Sequence, residues 1–167
     1  MHRRGVAEAL FGTGGAIAGT VYGTIIVMAT ITAAYASEGD PWRLGVIVWS
    51  TALVFWVAHL YAHGLAESIS RRQRVSGAEL AHIARRELGI LLAAALPSSA
   101  LLLGALGVVR EARSVWLALI LGLFTLVVEG IRYARLETLG WGATAVIVAA
   151  NVGLGLLVVL LKVAVAH

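Results

Sequence analysis

Five apolar stretches occupy most of the 167 residues, at about 16–36, 44–66, 88–109, 114–133 and 141–165. Each is close to the ~20 residues that a helix, rising about 1.5 Å per residue, needs to cross a hydrocarbon slab ~30 Å thick. A backbone surrounded by hydrocarbon has to satisfy its own hydrogen bonds, so such stretches fold as helices. The pattern predicts an all-α, polytopic membrane bundle with five transmembrane helices, forming one integral membrane domain over residues 1–167. The connecting segments are too short for a soluble catalytic domain, so any chemistry has to come from polar residues inside or beside the spans.

Composition excludes several classes of function. With 60% hydrophobic residues and a mean hydropathy of +0.90, the chain lies outside the soluble globular range. The pI of 10.1 would point to nucleic acid in a soluble protein. Here the arginines sit between apolar stretches, where orientation in a bilayer accounts for them, and no nucleic-acid partner is expected. The absence of cysteine removes disulfides, thiolate metal sites and cysteine nucleophiles. The sequence holds no P-loop, no G-x-S-x-G elbow and no paired Asp-rich motif. Of its five histidines, His2 and His167 are terminal, leaving too few for a membrane di-iron hydroxylase.

Arg3 and Arg4 followed by an apolar run ending in Ala34-Tyr35-Ala36 have the outline of a signal peptide. The run is longer than the ~7–15 residues of a signal core, so it reads as the first span. Ser37 to Pro41 forms a turn-rich connector, since proline cannot continue a helix. Ser76 and Glu79 have the spacing of a capping box, which predicts a surface amphipathic helix at about 77–87 carrying Glu79, His82, Arg85, Arg86 and Glu87. Pro97 predicts a kink in the third span.

The positive-inside rule gives one consistent orientation. Arg3, Arg4, Arg71, Arg72, Arg74, Arg85, Arg86, Arg132 and Arg135 fall on one side, against Arg43, Arg110, Arg113 and Lys162 on the other. The amino terminus is expected in the cytoplasm and the carboxyl terminus outside, in a multi-pass protein of the cell membrane. Arg71, Arg72, Arg74, Arg85 and Arg86 would meet anionic lipid headgroups.

Gly15, Gly19 and Gly23 recur every four residues on the first span, so that another helix can approach backbone to backbone. Ala145, Ala149 and Gly153 form a second small-residue stripe on the fifth. The stripes can meet within one chain or drive association between chains, and a homo-oligomer is the expected assembly. Thr20, Thr24 and Thr32 are expected to bond back to the preceding turn.

The residues that most need explaining are ionisable. His59, His63 and Glu67 lie at i, i+4 and i+8 on one face of the second span. Glu129 has to lie inside the fourth span, because the run from Ser114 to Val128 is too short to cross alone. It is fifteen residues from Ser114, as His59 is from Leu44, so the two share a depth, with Arg132 near the level of His63. Ionisable groups in spans are costly, tend to face the bundle interior, and often mark an ion path. His59, His63 and Glu129 also have the ligand types of a divalent metal ion. The competing expectation is structural: Glu129 pairs with Arg132 on its own helix, His63 and Glu67 touch headgroups, and Asn151 in the fifth span anchors two helices. Trp49 and Trp56 are expected to pack, or to form a constriction above His59.

The sequence is therefore expected to encode a small oligomeric channel or transporter for a proton or a divalent metal, with handover along His59, His63 and Glu67 and with Glu129, Arg132 and Asn151 beside them. The rival is a non-catalytic scaffold or accessory subunit. A metal-dependent enzyme acting on lipid headgroups ranks behind both. Orientation is testable because the chain lacks cysteine. In Ser76→Cys, an impermeant maleimide is expected to label only after the cells are opened; labelling of intact cells overturns the orientation.

Overall fold

The computed structural model describes residues 14–35 and 37–165, with side-chain surroundings over 16–35 and 37–160. Arg3, Arg4 and Ala36 lie outside the described residues, as do the surroundings of Gly15 and Lys162. Six helices follow in order: α1 (Gly14–Ala34), α2 (Pro41–Arg71), α3 (Gly77–Arg86), α4 (Leu88–Ala105), α5 (Glu111–Leu136) and α6 (Trp141–Val165). There is no strand among the described residues, and five segments are long and apolar enough to cross a membrane. This is a multi-pass membrane protein.

α2 reaches beyond its apolar stretch at both ends, and a polar neighbour caps its start. Asp40 opens α2 by accepting from the Trp42 N–H at 2.9 Å, and Pro41 becomes the first helical residue instead of a connector. Its fixed φ and missing N–H suit that position. At the far end Arg72, with φ 52°, closes α2 in the left-handed region. The expected surface helix is present as α3, with a reciprocal capping box: the Ser76 N–H donates to Glu79 at 2.8 Å and the Glu79 N–H to the Ser76 hydroxyl at 3.3 Å. The chain breaks at Glu87 between α3 and α4, whereas helix α4 continues through Pro97.

α1, α4 and α5 form the centre of the bundle, with α2 attached to α1 and α4 and with α6 attached to α1 and α5. In hydrocarbon, helices gain little by hiding leucine from lipid, so association depends on close packing at small residues. At Gly23 an added Cβ would lie 2.8 Å from the Ile90 Cα and 2.9 Å from the Ala93 Cβ. At Gly89 it would lie 2.6 Å from the Ala16 carbonyl oxygen and 2.8 Å from the Thr20 nitrogen. The glycine stripe of the first span is thus filled by the third, not by the fifth. Ala145, Ala149 and Gly153 are exposed on α6, and nothing stands within 4 Å of a Cβ built on Gly153.

α5 closes the centre by laying Gly122 against Met28, which is fully buried. At the opposite end of the bundle Gly104 of α4 meets Ser114 of α5 and Pro41 of α2. Thr20, Thr24 and Thr32 bond to the carbonyls of Ala16, Thr20 and Ala29 at 2.9, 2.7 and 2.8 Å. The large exposed side chains, among them Val54, Leu92, Phe124 and Leu160, would aggregate in water and suit hydrocarbon.

The crossing of α1 and α4 sets a graded test. Gly23→Ala and Gly89→Ala are each expected to destabilise the detergent-solubilised protein by about 1–3 kcal/mol, as overpacking does. Gly19→Ala should be neutral, since its Cβ would make only ordinary contacts at 3.7 Å. Unfolding by titration with a denaturing detergent reads the difference, and equal stability of all three variants would refute the crossing.

Candidate functional site

His59 lies eighteen residues after Pro41 and Glu129 eighteen after Glu111, about 27 Å along each helix. The two residues are thus equally far from the starts of their own helices. Laterally the two residues stand apart, each beside α1. Tyr22 of α1 packs on His59, with ring centroids 4.8 Å apart, and on Phe55 edge-to-face at 6.2 Å. Ala18 and Tyr22 line two clefts, one toward α2 and one toward α5 and α6.

The first cleft, of about 260 Å³, is lined by Gly19, Tyr22, His59, His63, Arg86 and Glu87 among others. The His59 and His63 rings are 6.1 Å apart. Nδ1 of His59 faces the Phe55 carbonyl at 3.1 Å, and Nδ1 of His63 the His59 carbonyl at 3.0 Å. A carbonyl oxygen only accepts, so each Nδ1 carries hydrogen and each neutral ring presents Nε2 as its free acceptor. Glu87 is almost completely buried at the start of α4, where the helix dipole favours a negative charge. Its Oε1 accepts from the Arg86 Nε at 3.2 Å and lies 3.9 Å from the His63 Nδ1. The break between α3 and α4 is itself tied to α2, because the Trp56 indole N–H donates to the Ala84 carbonyl at 3.1 Å.

Glu67, expected beside the histidines, instead pairs with Arg71 one turn away at 2.5 Å; Arg71 also reaches Glu79 of α3 at 2.6 Å. The carboxylate next to His63 is Glu87. Sequence reading placed that residue on the surface helix, and its position just before an apolar span was the available signal. Tyr22 carried no signal of its own beyond lying in the first span. Trp56 anchors the helix break, while Trp49 faces outward on a separate cleft of about 550 Å³ with Trp42, Ser50 and Ser98; the two do not form a constriction.

The second cleft, of about 410 Å³, lies between α1, α5 and α6 and includes Glu129, Tyr133 and Asn151. Glu129 is only 4% exposed. Its Oε1 accepts from the Arg132 Nη1 at 2.6 Å, while its Oε2 is buried with no hydrogen-bond partner. The Asn151 carboxamide donates from Nδ2 to the Leu126 carbonyl at 3.3 Å, the interhelical anchor expected of it. His59 and His63 line one cleft and Glu129 the other, and no group of three His, Asp or Glu side chains among the described residues could hold a metal ion.

No protein family, curated protein or solved structure matches this chain. The site has to be read from its own geometry. One part of that geometry is measurable directly: Asn151→Leu is expected to cost about 0.6–1.7 kcal/mol of stability in detergent, the range of interhelical hydrogen bonds in membranes. No loss at all would mean that the α5–α6 bond contributes nothing.

Proposed function

We propose that the protein is a small homo-oligomeric membrane channel or transporter that moves protons. The observation that carries this reading is the run of titratable groups Tyr22, His59, His63 and Glu87, with rings 4.8 and 6.1 Å apart and a carboxylate 3.9 Å from the last histidine. Histidine changes charge near neutrality, and free Nε2 acceptors on successive turns of one helix are suited to passing a proton. Protons fit better than a divalent metal because the two histidines and Glu129 line different clefts.

In this reading the arginine-rich end of the bundle faces the cytoplasm of the cell, where Arg71, Arg72, Arg74 and Arg85 meet anionic headgroups. The relay then lies in the inner half of the bilayer. Its continuation outward would run between copies, for which the exposed stripe of Ala145, Ala149 and Gly153 on α6 offers a packing surface. A scaffold role is the second reading, favoured by the Glu129–Arg132 pair and the Asn151 anchor, which are structural contacts in their own right.

Proteoliposomes containing a pH-sensitive dye separate the two. Under an imposed gradient the wild type should carry protons. His59→Ala and His63→Ala should each lower the flux at least tenfold with unchanged elution volume, and the double variant should lose little more, as coupled residues do. Wild-type vesicles no leakier than empty ones would refute transport and leave the scaffold.

A further inference from the structure

The break at Glu87 is not written into the local sequence. Ala84, Arg85, Arg86, Glu87 and Leu88 are all strong helix formers. Gly89 and Pro97, the residues that weaken helices, both lie inside α4 without breaking it. A break at such a place needs a group that enters the backbone hydrogen-bond ladder from outside. Trp56 of α2 is that group: its indole N–H donates at 3.1 Å to the Ala84 carbonyl, which in an unbroken helix takes the Leu88 N–H. The break also matches length to membrane. Joined, Gly77–Ala105 would run for 29 residues, about 44 Å against a slab of ~30 Å, whereas the 18 residues of α4 give about 27 Å.

α3 lies along α2 at three points. Arg71 reaches Glu79 at 2.6 Å, the Leu80 Cδ1 stands 3.4 Å from a Cβ built on Gly64, and Trp56 holds Ala84. Between α3 and α4, Glu87 has φ −86° and ψ 0°. Returning it to helical angles turns ψ by about 40°. Gly89 is wedged against Ala16 and Thr20 of α1, so α4 stays in place and the turn falls on the Glu87 side chain and on α3. Such a turn would carry the carboxylate away from the His63 Nδ1, 3.9 Å from it in the structure, and lift Leu80 off Gly64. We propose that Trp56 is a positioning residue for the relay: by occupying the Ala84 carbonyl it keeps α3 and α4 from joining and so seats Glu87 beside His63. Its part in transport rests on the proton-relay reading, whereas the seating of α3 and Glu87 does not.

The chain has no cysteine, so Gly64→Cys with Leu80→Cys, joined by a short bis-methanethiosulfonate reagent in the full chain in nanodiscs, reports whether α3 rests on α2. Trp56→Phe keeps an aromatic ring in place and removes the N–H. It should lower the yield of joined protein at least threefold and, in the cysteine-free chain, lower proton flux at least tenfold. Replacing the Leu88 peptide N–H by an ester oxygen removes the rival donor for the Ala84 carbonyl, so adding it to Trp56→Phe should restore both readings, a rescue that lost packing alone would not show. Unchanged joining in Trp56→Phe, or no rescue by the ester, overturns the proposal. Lowered joining and its rescue, in a protein whose wild type carries no protons, keep Trp56 as the residue that seats Glu87 and refute the relay alone. If Trp56→Phe fails to fold, the ester decides in the otherwise wild-type chain. Joining at the wild-type level is expected there, because Trp56 already holds the carbonyl, and its loss overturns the proposal.

Discussion

The contact between the backbones of α1 and α4 is the one that the other helices depend on. Lipid tails are as apolar as leucine, so a span is not driven against its neighbours by the hydrophobic effect. Dispersion has to hold them, and it falls away within about an ångström of separation. Gly23 and Gly89 bring two backbones inside that distance, with Ile90, Ala93, Ala16 and Thr20 as the touching partners. Once α1 and α4 are joined, α5 lays Gly122 over Met28 to complete the centre, and α2 and α6 fasten to its two sides. Ala18 and Tyr22 are left on the outward face of α1 between those flanks. Both polar clefts share these two residues for that reason.

Hydropathy made the number of spans legible, because crossing a fixed thickness requires a fixed length of apolar helix. Helix ends were less so. The Asp40 cap and the Pro41 start extend α2 beyond its apolar run, and α4 stops at Ala105, short of the expected end of the third stretch at 109. The glycine stripe of the first span was readable as a close-packing surface, while its partner was not. The complementary pair Gly89 and Ala93 lies in a segment so rich in alanine and leucine that small residues four apart carry little information. Asn151 was readable, since a single amide in an apolar helix has few alternatives to bonding a neighbouring backbone.

The polar residues show the same division between what one helix dictates and what several decide together. The His59–His63 repeat follows from 3.6 residues per turn, and so does the Glu129–Arg132 pair at i, i+3. The rotation of each helix about its axis decides which groups meet across helices. Hydropathy is silent on that rotation where every face is apolar. Glu87 thus replaces Glu67 beside His63, and Tyr22 stands between His59 and the Glu129 cleft. Two carboxylates in the bundle are handled in different ways: Glu87 sits at a helix start beside Arg86, and Glu129 leans on an arginine one turn along its own helix.

The order in which the chain is made gives the threonine back-bonds a second significance. The decisive partner of α1 is the third span, so at ribosomal rates of ~5–20 residues per second the first helix waits roughly 3–10 s in the membrane before Gly89 emerges. Throughout that interval its glycine face has no mate. Thr20, Thr24 and Thr32 would be a liability during the wait if their hydroxyls needed another helix, but each is already satisfied within its own turn. These three threonines therefore need no second helix in lipid, and the docking face beside them is kept by glycines that carry no polar side chain. The close-packing face of α1 thus asks for no polar partner before the third span arrives.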